Sequence, residues 1–192
     1  MKFGLLLLAS LPATLAASLA YTPPAALAAE AKEHPHTCIL PHSYHIKNFH
    51  PHCSKNGTMT AYKFHYVNDA TNRTTSCSYR KRKHPEGSGK RGGALRFSCK
   101  HKAVSFIWDH DHSKMTMIQK VCPTKGVFKY EVSGSVIIPV SCASGECHDK
   151  TSDYKGIFSS ITCIGNASVA RTANVVRKQH HRGIAWSFDG YN

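Results

Sequence analysis

An all-β fold is predicted, a single antiparallel β-barrel or sandwich stapled by disulfides, on three observations. From His42 to Asp153 the sequence runs in short segments of two-residue alternation. Gly, Asn, Asp and Pro separate those segments, and no helix-length apolar period interrupts them. Eight cysteines follow an apolar N-terminal segment. Period-two alternation marks strands with one buried face, and a succession of such strands marks a meander folded into two layers or a barrel.

In chain order, the first clear strand places Tyr62, Phe64 and Tyr66 on one face and Lys63 and His65 on the other. Val104, Phe106 and Trp108 repeat the pattern ahead of a turn from Asp109 to Ser113, where Asp109 and Asp111 are favourable turn residues. Met115, Met117, Gln119 and Val121 alternate next, followed by runs over Val127–Val132 and Ser135–Val140. Between the early and middle strands, Arg80, Lys81, Arg82, Lys83, Lys90 and Arg91 stand among Gly87, Gly89, Gly92 and Gly93. That composition predicts a long basic hairpin loop, the first candidate for a partner-binding surface. After Cys163, Val169, Ala173 and Val176 fall at helical spacing with Arg171, Arg177, Lys178 and Arg182 around them, which predicts a short C-terminal helix. Ile184, Trp186 and Phe188 alternate and would instead add a last strand.

The N-terminus has the three-part layout of a secretory signal peptide over residues 1–20: Lys2, the run Leu5–Leu8, then small residues, with cleavage expected after Ala17 or Ala20. Pro12 breaks the apolar run, which falls short of the roughly 20 residues a membrane-spanning helix needs. Residues 21–37, Ala-rich with Pro23 and Pro24, are expected to be a flexible leader, 38–165 the β-barrel domain and 166–192 a basic extension.

Behind a signal peptide, an even set of cysteines (Cys38, Cys53, Cys77, Cys99, Cys122, Cys142, Cys147, Cys163) predicts up to four disulfides. No CxxC pair is present, so the close spacing of a zinc site is lacking. Without Lys2, 24 Lys and Arg stand against 11 Asp and Glu, a net charge near +13. Such a charge suits an anionic partner: polyphosphate, nucleic acid, an acidic wall polymer or an acidic protein. Sequons at Asn56, Asn72 and Asn166 fall in or beside turns and are expected to carry N-glycans in a eukaryotic producer.

Catalytic chemistry finds little purchase. There is no GxSxG, HExxH or P-loop. A ribonuclease-like hydrolase needs an acid–base pair and a cation, and Glu131 is the one acid within a predicted strand, with no histidine placed opposite it. Histidines gather at His34, His36, His42, His45, His50 and His52, and again at His110 and His112. The first group lies in Pro-punctuated sequence and the second in a turn, so no metal or other cofactor is expected.

Several of these segments, in order, resemble a known family. Tyr44–Phe49, Tyr62–Tyr66 followed by Thr75, Ser76 and Cys77, then Cys99 with Phe106, Asp109 and Asp111, the run GSVIIPVSC over Gly134–Cys142, and Cys163 followed by Ile164 and Gly165 are similar to the secreted fungal β-barrel family named for the Alternaria major allergen. The resemblance spans about residues 38–165. It implies a compact all-β barrel, found in secreted allergens, elicitors of plant defence and effectors that bind host proteins, generally without an established catalytic site. By position it also implies bridges Cys77–Cys99 and Cys142–Cys163, leaving three pairings open for Cys38, Cys53, Cys122 and Cys147. The extra cysteines, the basic loop, the histidines and the C-terminal extension depart from that pattern.

Together these features predict a secreted, non-catalytic effector- or elicitor-like protein that binds a host extracellular protein or an anionic surface in the host apoplast. The rival expectations are a ribonuclease-like hydrolase and a basic antimicrobial or nucleic-acid-binding protein. No membrane span is expected.

Overall fold

The computed structural model describes residues 19–80, 95–143, 145–149 and 151–164. One helix, α1 (Ala25–Glu33), precedes eleven strands among these residues: β1 (Ser43–Cys53), β2 (Met59–Asn68), β3 (Arg73–Arg80), β4 (Arg96–Ser98), β5 (Val104–Asp109), β6 (Lys114–Val121), β7 (Tyr130–Ile137), β8 (Val140–Ala143), β9 (Glu146–Asp149), β10 (Asp153–Ile157) and β11 (Ser160–Cys163). Their pairings are all antiparallel. A four-stranded sheet runs β10-β1-β2-β3, a five-stranded sheet β11-β7-β6-β5-β4, and β8-β9 is a separate hairpin. The all-β expectation holds, as two antiparallel sheets rather than a closed barrel among the described residues.

In β2 the alternation in the sequence is the burial pattern, whereas in β5 Ser105 is buried along with Val104 and Phe106. Tyr62, Phe64 and Tyr66 are buried and Lys63 and His65 exposed. Phe64 meets Phe106 edge-on at 5.2 Å, and Phe49 and Tyr62 lie 5.9 and 5.7 Å from the Trp108 ring. Rings of the first sheet thus interlock with rings of the second, an arrangement that buries large apolar area and favours tilted contacts.

The runs over Val127–Val132 and Ser135–Val140 differ from what forms: β7 passes straight through Gly134. The glycine is there for close approach, not for a turn. A Cβ at this position would stand 2.0 Å from the Ile157 carbonyl oxygen, and Tyr44 Oη donates to the Gly134 carbonyl at 2.8 Å.

The segment 21–37 is not a flexible leader. Five alanines in nine residues favour a helix, Pro24 opens it with its carbonyl accepting from the Leu27 and Ala28 amides, and Pro35 follows its end. Leu27 is fully buried in the core and Tyr21 nearly so, with Tyr21 Oη donating to the Pro41 carbonyl at 3.0 Å. Glu30 accepts from Thr124 Oγ1 at 2.8 Å. Alanine-rich composition alone did not distinguish a linker from a short helix held by two apolar anchors.

The bridges Cys38–Cys122 and Cys77–Cys99 join buried cysteines. Cys53 pairs with Cys147, and Cys142 stands opposite Cys147 in the β8–β9 hairpin, also within bonding reach of it. The Cys142–Cys163 pairing implied by the resemblance does not form. Cys163 lies opposite Tyr130, at one end of β7, while Cys142 follows the other end at Ile137. Seven strand residues cover roughly 23 Å, far beyond the ~7 Å Cα separation a bridge tolerates. Cys163 is an exposed free thiol.

Candidate functional site

Where the N-terminal segment meets both sheets, a cleft of about 540 Å³ opens. Its floor comes from alternating strand positions: Tyr66 and Asn68 of β2, Val104 of β5, and Gln119 and Val121 of β6. Its walls are Ile39 with the preceding His36 and Thr37, Cys122 and Pro123 beyond β6, and Phe128. The Cys38–Cys122 bridge fixes the N-terminal wall against the second sheet.

One side-chain amide organises the floor. Gln119 Oε1 accepts from both the Tyr66 hydroxyl and Asn68 Nδ2, the latter at 2.9 Å. Burial pushes the Tyr66 phenol far above its ordinary range, although the Asn68 hydrogen bond opposes this, so Tyr66 is a neutral donor. Three polar groups therefore satisfy one another beneath the cleft.

The rim is cationic. Arg73, Lys120, His36 and His101 line it, and no described lining residue is acidic. Arg73 and His101 are exposed and Lys120 is half-buried. Among the described residues no salt bridge engages Arg73 or Lys120. Hydroxyls of Thr71, Thr74 and Thr75 add donors, and Thr75 Oγ1 itself accepts the His101 amide at 3.0 Å. Such a site suits a ligand that carries negative charge on an apolar body.

Arg80 is the exposed last residue of β3, whereas Lys81, Arg82, Lys83, Lys90 and Arg91 lie outside the described residues. Thr75 and His101 line the cleft, and two residues from each, Cys77 and Cys99 close the bridge below the loop's roots. Asn56 and Asn72 sit exposed in turns, Asn72 at φ 51°, and Asn166 lies outside the described residues, as do Arg171, Arg177, Lys178 and Arg182 with the expected C-terminal helix.

Glu131 does not meet a histidine. Arg96 grips it with both terminal nitrogens, at 3.2 and 2.9 Å, while Arg96 Nε donates to Ser105 Oγ at 2.7 Å. A carboxylate held by a two-pronged guanidinium is a structural anion, poorly suited to act as a general base. The histidines also disperse. His45 sits between Asp153 and Asp69, at 2.6 and 3.5 Å, and His112 packs on Asp109 in the β5–β6 turn at 2.8 Å. Among the described residues the trio with metal-ligand spacing is Cys53, Cys142 and Cys147 rather than any histidine group.

Sequence reasoning missed the cleft, since Arg73, Lys120 and His101 are far apart along the chain. One signal was available: Gln119 interrupts the apolar series Met115, Met117, Val121, and a polar residue on a buried face calls for partners.

No helix among the described residues is long and apolar enough to cross a membrane. No family model and no curated protein matches the chain. Among solved structures the chain is similar to the Alternaria alternata allergen Alt a 1, at 15% identity over 65% of this chain and 86% of that one, with a TM-score of 0.40. A second crystal structure of that major allergen gives 14% identity over 64% and 89%, again with a TM-score of 0.40. A likeness of that size carries no argument for family or activity, and what the described strands establish is the antiparallel β fold itself.

Proposed function

We propose that this is a secreted, non-catalytic binding protein of the fungal effector or elicitor type, which acts outside its producer by engaging an anionic group of a host or extracellular partner. The cleft carries this reading: four basic side chains and four threonines surround a floor of valines and mutually hydrogen-bonded polar groups, without a described carboxylate among them. Disulfides between distant parts of the chain fit an oxidising compartment, as a secretory signal over residues 1–20 requires. The segment from Arg80 to Arg91 springs from the strand that supplies Arg73 and Thr75, and is the natural second contact for an extended polyanion. The Arg96–Glu131 pair counts against the hydrolase alternative, because it occupies the acid that chemistry would use.

The test is binding of the disulfide-intact protein to inorganic polyphosphate and to polygalacturonate, followed over a salt series. Arg73→Glu with Lys120→Glu should weaken binding at least about tenfold and flatten its salt dependence, because fewer counterions are released. Reversing Arg80 to Lys83 should weaken the same binding by a smaller factor. Binding that ignores both sets of changes overturns the assignment of this surface. Salt-sensitive cleavage of RNA by the intact protein, lost in a Glu131→Gln variant, would favour the hydrolase instead.

A further inference from the structure

We propose that Cys53, Cys142 and Cys147 form a thiol–disulfide exchange site in which Cys147 changes partner. The three sulfurs lie within 4.8 Å of one another. Cys147 is in bonding reach of both neighbours, with Cα separations of 6.2 Å to Cys53 and 4.0 Å to Cys142. A sulfur makes one disulfide, so in each oxidised molecule Cys147 bonds one of them and the other is a thiol already in contact with the bridge. Nucleophile, bridge and leaving sulfur are thus assembled before any reaction begins.

The exchange is balanced within the chain. The Cys142 thiolate attacks Cys147 Sγ, a Cys142–Cys147 bond forms, the Cys53–Cys147 bond breaks, and its electron pair leaves on Cys53 Sγ. Cys53 then takes up the proton that Cys142 gave up. No external oxidant or reductant enters, and the reverse step is the same chemistry.

The two bridges do different mechanical work. Cys53 ends β1, so Cys53–Cys147 ties the β8–β9 hairpin to the four-stranded sheet across a sequence separation of 94. Cys142–Cys147 spans a separation of 5 and closes the hairpin on itself. Contact between hairpin and sheet then rests on noncovalent packing, where Gly57 faces the Cys142 carbonyl and Gly145 faces the Lys55 backbone. Partner choice at Cys147 therefore sets whether the hairpin is stapled or free to swing.

The rest of the cysteines do not compete. Cys38, Cys77, Cys99 and Cys122 are 1–3% exposed in fixed pairs, whereas the three cluster cysteines are half-buried and reachable. The remaining thiol, Cys163, sits at the far end of β7.

The experiment maps the protein purified without reductant. Thiols are blocked with N-ethylmaleimide, after exchange has been quenched by acidification to about pH 4, where thiolate is scarce. Proteolysis should yield both Cys53–Cys147 and Cys142–Cys147 linked peptides, with label complete on Cys163 and divided between Cys142 and Cys53. Mild urea, which loosens the hairpin, should shift the ratio of the two linked peptides near pH 8 and leave it fixed near pH 4, because the thiolate is the nucleophile. Cys53→Ser and Cys142→Ser should each yield the other bridge alone. A single linkage in the parent protein, a Cys142–Cys163 linkage, or a ratio that does not respond to urea near pH 8 overturns the proposal. None of these outcomes depends on the anionic partner.

Discussion

The two ends of the sandwich are built from the same strands but closed differently. At one end Phe49, Tyr62, Phe64, Phe106 and Trp108 interlock across the sheets, with ring centres 5.2 to 5.9 Å apart for the cross-sheet pairs. At the other, β2 and β6 meet through Tyr66, Asn68 and Gln119, and the cleft opens above them. Along β6 the change is a single step of the alternation, from Met117 to Gln119. Rings and thioethers fill space in any direction, whereas an amide must face its partners and packs poorly beyond them. A cleft thus arises where the core changes from apolar to polar, and the N-terminal segment supplies the missing wall.

If closure by rings holds the fold, the largest loss should come from the ring end. Phe106→Ala removes a fully buried ring that touches Tyr62, Phe64 and Phe97, and should cost about 3–5 kcal/mol, read as a lower urea midpoint. Leu27→Ala acts on the wall of the other end and should cost about 2–5 kcal/mol, since Leu27 is fully buried and anchors α1. A Leu27→Ala protein as stable as the parent would show that the N-terminal segment is a mere appendage. Gln119→Ala leaves the Tyr66 hydroxyl and the Asn68 amide without their shared acceptor and should cost about 1–3 kcal/mol. A cost near that of Phe106→Ala would collapse the distinction between the two ends.

How much of this was legible in the sequence differs along the same lines. The ring end was readable, because Tyr62 and Phe64 in one strand and Phe106 and Trp108 in the other fall at alternate positions, so each strand carries its own evidence. The cleft was not, because Arg73, His101, Lys120 and His36 become neighbours only through sheet pairing and the Cys38–Cys122 bridge. Helix α1 was missed for a related reason: a nine-residue alanine segment is too short to be stable alone, and its anchor, Leu27, has meaning only against a core that forms elsewhere. Cysteine positions showed that bridges form but not which, and the partner implied for Cys142 placed it at the wrong end of β7. A family pattern transferred by spacing assumes equal strand registers, and the extra cysteines here change the choice.

The smallest effect sharpens the comparison most, because it tests a polar contact at the ring end. Asp109 closes the β5–β6 turn just beyond Trp108, accepting the His112 amide at 3.3 Å and facing His112 Nδ1 at 2.8 Å, with Lys114 3.8 Å away. Desolvation pushes its carboxyl up, but the hydrogen bonds to the His112 side chain and amide, together with the charges of His112 and Lys114, outweigh it and hold the group below the ordinary carboxylate range. A carboxyl depressed in the folded state stabilises the fold above its unfolded pKa, near 4, and loses that contribution as pH falls through the lower folded value. Asp109→Asn should therefore be slightly less stable than the parent at neutral pH, and the two thermal midpoints should converge below about pH 4. Because the rings beneath already close this end, the difference at neutral pH should stay well below that for Gln119→Ala. A larger loss for Asp109→Asn than for Gln119→Ala would mean that the turn, and not the ring layer, sets the stability of that end.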